Sequence, residues 1–425
     1  MAGPGDRIRL SYADGTSFEG VLMPRHAFSS EDVMTVKLDN GYNLGLARDG
    51  AAVEVLAKGT PRKAEHRLPP EDPSKPTVAV LGTGGTIASF VDYRTGGVHP
   101  ASKPEELAAA MPELFEAANL RTEVVFAMFS EDMQPEHWSR IAERVAWHLG
   151  NGARGVVVAH GTDTMHYTAA ALAFCLQDLT GPVVLVGSQR SSDRPSSDAS
   201  MNLAAAVRVA ATSDLGEVVV CMHETADDDR VAIHRGVRVR KMHTSRRDAF
   251  QSINVRPLGH VQGPDVVLEP HYRRAGSGPV RVDAVWDEEV SMILSYPGLW
   301  PDHIEDVVRK ATVIVGTGLG HIAQRCLPGV KSVIARGAHV VMASQCIHGR
   351  VNMNVYSTGR DLLKMGVLSA EDMLPEVAYI KMMWILGHTE DPDEVRRRFL
   401  TDVAGEVGEA THPLAFGRNV TEGAA

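Results

Sequence analysis

Near-continuous β-branched runs beginning at Thr77 constrain the fold most: "TVAVL", "EVVFAM", "GVVVAH", "PVVLVG" and "EVVVCM". A strand that alternates apolar and polar residues keeps one face in water. These runs have no wet face, so helices must cover both sides of the sheet they form. Helical patterns do lie between them, at 135–150 and 164–179. The rhythm predicts an α/β fold built on a parallel sheet. It resumes after Asp283 in "VSMILSYPG", "ATVIVGTG" and "GAHVVMASQ", which predicts two lobes, 77–282 and 283–425. The stretch from Gly263 to Asp283 reads as the connector between them. The length of 425 residues fits this division, because it exceeds what one compact domain usually holds.

Residues 1–57 have another texture. Five short strand-like runs, from "RIRLSY" to "VEVLA", are divided by turn signals at Asp14-Gly15 and Asn40-Gly41. Asn-Gly is a strong two-residue hairpin signal. The pattern predicts a small β-barrel of the SH3-like or OB-like kind. Residues 58–76, rich in proline and charge, read as a linker.

Bulk properties narrow the function. No apolar stretch approaches the ~18–20 residues that span a bilayer. The start, "MAGPGDRIRL", lacks the apolar core of a signal peptide. Four dispersed cysteines without a Cys-x-x-Cys pair favour reduced thiols over a disulfide frame or zinc site. The expectation is a cytoplasmic chain without membrane attachment. Net charge is −10, whereas a surface that grips nucleic acid directly is usually basic.

In parallel α/β sheets, ligands sit beyond the carboxyl ends of strands. "LGTGGTIAS" (81–89) occupies such a place. It is not a phosphate cradle: no lysine completes a P-loop, and Ile87 stands where the dinucleotide pattern needs glycine. A threonine on such a turn can instead present its hydroxyl as a nucleophile, with backbone N–H groups for an oxyanion, provided a base takes its proton. Other strand ends supply the remaining parts. They are Thr162 and Asp163 in "VVVAHGTDTM", Lys241 in "RVRKMHTSRRDAF", and Ser130 with Glu131 in "FAMFSEDMQ". A lysine depressed by burial or neighbouring cations can serve as the base, with Asp163 to orient it. Taken singly, each has a blander reading. Asp163 suits a helix cap. The 238–247 basic run suits an exposed loop or a patch for RNA phosphates. "HETADDDR" (223–230) suits a solvated acidic loop better than a metal site. Four polar loops expected at the ends of strands in one sheet weigh against chance.

"TGGTIAS" and "HGTDTM" resemble the two signature segments of the bacterial-type L-asparaginases, amidohydrolases with a threonine nucleophile. The resemblance runs from Thr77 to the end and implies a two-lobed α/β core. It places one reactive threonine at Thr86, with a tyrosine partner at Tyr93 in "FVDYRTGG". It places a second group at Thr162, Asp163 and Lys241, and the serine that holds the substrate carboxylate at Ser130. Glu131 follows that serine where glutamine is common in the family. "RKMHTSRRDAF", "SQRSSDRPSSDASMN" and the amino-terminal domain are more similar to a narrower subfamily, the D subunits of archaeal glutamyl-tRNA(Gln) amidotransferases.

That resemblance implies a chain that releases ammonia from glutamine or asparagine. A partner, GatE, would bind the tRNA and use ATP and magnesium to activate its glutamyl group. Ammonia would then convert Glu-tRNA(Gln) to Gln-tRNA(Gln). It implies a heterotetramer built on a homodimer of this chain, with no metal or organic cofactor in this chain. The donor carboxylate would lie near Ser130 and its ammonium near Asp163 and Glu131. Thr86 would attack, Tyr93 would relay a proton, and Thr162 with Lys241 would activate water, with the division of labour between the threonines open. Two alternatives remain at this point: a free-standing L-asparaginase carrying a barrel, and an RNA-binding scaffold with a retired amidase core.

Overall fold

A computed structural model describes residues 2–23, 32–39, 43–59, 70–84, 89–91, 98–100, 111–190 and 197–410. The amino-terminal domain contains β1 (Arg7–Tyr12), β2 (Ser17–Leu22), β3 (Val33–Lys37), β4 (Asn43–Ala47) and β5 (Ala51–Ala57). They form one antiparallel sheet in the order β4-β3-β2-β1-β5. Gly15, at φ +87°, makes the β1–β2 turn; the Asn40-Gly41 turn lies outside the described residues. Alternation sets the register. Ile8 and Leu10 are buried, while Arg9 between them pairs with Glu19 and Glu54, the residues opposite it on β2 and β5. A slip of one residue would turn Arg9 into the core.

The first lobe holds an eight-stranded sheet. Its strands are β6 (Thr77–Gly82), β7 (Asn119–Val124), β8 (Gly155–Ala159), β9 (Val183–Val186), β10 (Val218–His223), β11 (Val231–Arg235), β14 (Gly259–Gln262) and β15 (Asp265–Leu268). A separate two-stranded ribbon, β12 (Val239–Lys241) with β13 (Phe250–Ser252), lies between β11 and β14 in sequence. The sheet order is β15-β14-β11-β10-β9-β8-β6-β7. Strands β7, β6, β8, β9 and β10 are parallel, as the apolar runs predict, but β11, β14 and β15 are antiparallel. The sheet is therefore mixed. Only residues 224–230 join β10 to β11, too few for the crossover that a parallel neighbour requires. Part of the expected connector, Asp265–Leu268, is the sheet's edge strand. The run "EVVFAM" ends as strand at Val124, where the Val125 and Phe126 N–H groups both turn to the Gly82 carbonyl.

Buried strand residues divide by parity. Ala79, Leu81, Val156, Val158, Val183 and Leu185 pack under α1 (Pro135–Gly150) and α2 (Met165–Cys175). Val78, Val80, Val157, Ala159, Val184 and Val186 pack under α3 (Ala199–Thr212) on the other face.

The second lobe is a parallel sheet of β16 (Val290–Leu294), β17 (Ala311–Gly316), β18 (His339–Ser344) and β19 (Leu368–Ser369), in that order. Helices α4 (Pro301–Val307), α5 (Leu327–Ala335) and α6 (Ser357–Lys364) cover one face. Helix α7 (Pro375–Leu386) covers the other and also packs on α2 of the first lobe. Every residue of α7 except Tyr379 is buried. A helix with no wet face must be enclosed on all sides, and α7 joins the two lobes in one continuous core, with Phe174 and Trp384 stacked 6.0 Å apart. Among the described residues no helix is long and apolar enough to cross a membrane.

Candidate active site

Strands β6 and β8 end side by side, and their terminal loops meet. Thr83, almost fully buried, donates both its N–H and its Oγ1 to the Ala159 carbonyl at 3.0 Å. It pins the opening loop to β8. Gly84 follows at φ +112°, where a Cβ would overlap the Met128 carbonyl, so the loop needs glycine there. Thr86 and Tyr93 lie outside the described residues.

The loop after β8 carries the clearest constellation. Lys241 Nζ donates to Thr162 Oγ1 and to Asp163 Oδ1, each at 2.8 Å. The lysine side chain is 11% exposed and the aspartate 68%. Thr164 is the N-cap residue of α2, so Asp163 is not spent as its cap. The Thr164 hydroxyl donates to the Ser130 carbonyl at 2.6 Å and ties the loop after β8 to the segment after β7. Ser130 is buried against Gly161, where an added Cβ would stand 2.8 Å from both its Cβ and its Oγ. Glu131 is exposed next to it. The structure thus gathers Ser130, Thr162, Asp163 and Lys241.

Residues outside the sequence reading hold this turn. His160 is buried, with Nδ1 2.7 Å from the Gly161 carbonyl and Nε2 2.9 Å from Thr168 Oγ1. A carbonyl only accepts, so Nδ1 carries the proton and Nε2 accepts from the Thr168 hydroxyl. That hydroxyl accepts in turn from Trp138 Nε1 at 3.2 Å. Burial pushes the His160 pKa down to about 4, which keeps this tautomer neutral. His166 is also lowered to about 4, by burial and then by Arg240 and Lys241. Gly187 backs the turn: an added Cβ would overlap Met165 and stand 2.7 Å from Thr162 Cγ2. The loop beyond it is held by Asp198, which accepts from Ser188 Oγ, the Gln189 and Arg190 N–H groups and Asn202 Nδ2 at 2.9–3.0 Å. The sequence signal for these supports was slight: a histidine at a strand end, a lone glycine, and an aspartate within "SQRSSDRPSSDASMN".

Lys241 lies on β12, and the basic run around it is not a free patch. Arg238 pairs with Asp372, Arg240 with Glu376, Arg246 with Asp248 and Arg247 with Asp228. Asp228 of the acidic loop also meets His223 at 3.2 Å. With all five cations of 238–247 paired inside the chain, the scaffold reading loses its phosphate patch.

The family "Asparaginase, N-terminal" matches residues 77–273, and "Glutaminase/Asparaginase C-terminal domain" matches 289–399. "GatD N-terminal domain" matches residues 2–56. The D subunit of glutamyl-tRNA(Gln) amidotransferase from Pyrococcus furiosus is 50% identical over 423 residues, covering 97% of this chain and 96% of that protein. The chain belongs to the GatD family, the D subunits of glutamyl-tRNA(Gln) amidotransferases. The GatD of Methanothermobacter thermautotrophicus is 49% identical over 420 residues, covering 97% of this chain and 95% of its own. Among solved structures, the thermostable L-asparaginase from Thermococcus kodakarensis superposes with a TM-score of 0.71 at 34% identity. It covers 79% of this chain and 100% of its own. L-asparaginase I from Vibrio cholerae gives 0.69 at 31%, with the same coverage. GatD chains match nearly end to end, whereas the asparaginases leave about a fifth of this chain unmatched.

Proposed function

We propose that this chain is the ammonia-releasing amidohydrolase component of a tRNA-dependent glutamyl-tRNA(Gln) amidotransferase. The observation that carries the chemistry is Lys241 Nζ bridging Thr162 Oγ1 and Asp163 Oδ1 at 2.8 Å each. A hydroxyl, an amine and a carboxylate in series provide a path for a proton leaving a nucleophile or an attacking water. The near full-length likeness to GatD chains supports the biological setting.

In this reading the side-chain amide of glutamine or asparagine is the substrate. Its α-carboxylate lies near Ser130, and its ammonium near Asp163 and Glu131. A threonine hydroxyl attacks the amide carbon and its proton passes to the departing nitrogen, releasing ammonia and leaving an acyl-enzyme. Water then splits the ester, giving glutamate or aspartate and the free threonine. Thr86 with Tyr93 serves the first step, and Thr162 with Lys241 and Asp163 the second. The Gly161 carbonyl is held on His160. In a trans peptide the Thr162 N–H then points the opposite way, out of the core, where it can donate to an oxyanion. No metal or organic cofactor in this chain takes part. ATP and magnesium serve the partner, GatE, which activates the tRNA-bound glutamyl group in a heterotetramer built on a homodimer of this chain.

The test is ammonia release from glutamine and asparagine by the purified chain, alone and then with GatE, ATP and Glu-tRNA(Gln). Strong stimulation by the full set is expected. Rapid asparagine hydrolysis indifferent to those additions would favour the free-standing asparaginase reading, which the 34% identity to a solved L-asparaginase keeps in play.

A further inference from the structure

Lys241 is the one member of the Thr162–Asp163–Lys241 group that does not come from the β8 loop. Strand β12 has only three residues and, among the described residues, pairs only with β13, apart from the eight-stranded sheet. So short a ribbon cannot aim a side chain by its own ladder. Something else fixes it.

The fixing groups belong to the second lobe. Arg238 closes the turn before β12, and Arg240, on the strand, faces away from Val239 and Lys241 because side chains alternate across a strand. Arg238 is almost fully buried; it donates to Asp372 Oδ2 at 3.0 Å, to the Asp372 carbonyl at 3.2 Å and to the Gly405 carbonyl at 2.8 Å. Arg240 pairs with Glu376 at 2.8 Å. Glu376, buried, is the second residue of α7 behind Pro375, and a helix amino terminus favours a carboxylate. The second strand of the ribbon is tied at the same place. Asn254, just past β13, donates through Nδ2 to the Asp372 and Gly349 carbonyls, both at 3.1 Å, and accepts the Gly349 N–H at 2.8 Å.

We propose that the second lobe aims Lys241 at Thr162, with Glu376 acting through Arg240 as a positioning residue. This rests on the reading of Thr162, Asp163 and Lys241 as the hydrolytic group. Held by Glu376, Arg240 anchors β12 to the head of α7. Released, it leaves the three-residue strand unanchored at that point, and Lys241, the next residue, drifts out of line with Thr162.

The experiment compares Glu376→Ala, Glu376→Gln and Arg240→Lys with wild type and Thr162→Val, all as the full chain with its partner GatE. Amide hydrolysis gives kcat and KM, circular dichroism gives the folded fraction, and thermal melting gives stability. A misplaced group far from the substrate can cost a hundredfold in rate, so Glu376→Ala is expected to lower kcat by about ten- to a hundredfold with KM little changed. Glu376→Gln, which still accepts from Arg240, recovers most of that kcat even if its melting temperature stays low. Arg240→Lys keeps the charge but cannot reproduce the reach of the Nη2–Oε1 contact, and lowers kcat again. A purely structural role would lower melting temperature in every variant and leave kcat per folded molecule at the wild-type value, which would overturn the proposal. If Glu376→Ala does not fold, Arg240→Lys decides: wild-type kcat in that variant rejects the idea. If Thr162→Val retains full activity, the hydrolytic reading itself has failed, a separate outcome.

Discussion

His160 holds the turn that carries Thr162 and Asp163 from its buried side. It presents Nδ1–H to the Gly161 carbonyl and is kept in that tautomer by Thr168. Asparagine can place a donor near the Nδ1 position, whereas leucine cannot. His160→Asn should therefore retain more amide hydrolysis than His160→Leu, as read by kcat under saturating donor. Gly187→Ala is a harsher change. Its Cβ would press on Met165 and Thr162, and such overpacking typically costs about 1–3 kcal/mol. Denaturant unfolding should show that loss, accompanied by a fall in kcat from the displaced Thr162. That Thr162, Asp163 and Lys241 would come together was legible because the proposed chemistry demands particular side chains at strand ends. Their supports were not. Gly187 matters for the space it leaves, and Glu376 for an arginine far from it in sequence. Neither relation leaves a local pattern.

At the level of elements, the apolar runs foretold β6, β8, β9 and β10 because burial on both faces shows directly in composition, whereas the edge strand β7 meets its run only at Glu123 and Val124 and has no fully buried residue. The antiparallel extension was hidden. Strand β15 is exposed at alternate positions and reads as loop; only its partner β14 makes it a strand. The β12–β13 ribbon was likewise masked by its charges, which look solvent-bound until Asp372 and Glu376 come into place across the lobe boundary. The buried Arg238–Asp372 pair gives a test at this scale. Removing one partner of such a pair strands the other charge, so Asp372→Ala should destabilise by about 3–5 kcal/mol. Urea unfolding followed by tryptophan fluorescence measures it, and a loss below about 1 kcal/mol, the range of surface pairs, would show that the bolt is ornamental.

For the whole molecule, buried histidines govern behaviour toward acid. His160, His166 and His234 are each lowered from 6.5 to about 4, chiefly by burial. Their folded values lie below the unfolded one, so the unfolded chain takes up protons first as pH falls. Their stabilising contribution is complete above about pH 6.5 and is lost progressively down to about pH 4, below which the folded rings protonate too. Each ring contributes a slope of about 1.4 kcal/mol per pH unit within that window. Calorimetry between pH 7 and 5 should show a falling melting temperature. A flat profile would mean that these rings are not buried neutral. Carboxylates such as Glu394, held down to about 2 by Arg397 and Arg398, add their loss only at lower pH.

Helix α7 has a consequence for descent and for engineering. Because one helix covers the second sheet and packs on α2 of the first lobe, the division near Asp283 is a boundary of topology but not of folding. A chain severed there would strip α2 of the helix that packs against it from the second lobe. Among the described residues no helix is shared across the junction before Thr77, and the small sheet ahead of it has its own core of Ile8, Leu10, Leu22 and Val36. Modules can be traded at the first junction. At the second, the two halves must be inherited together.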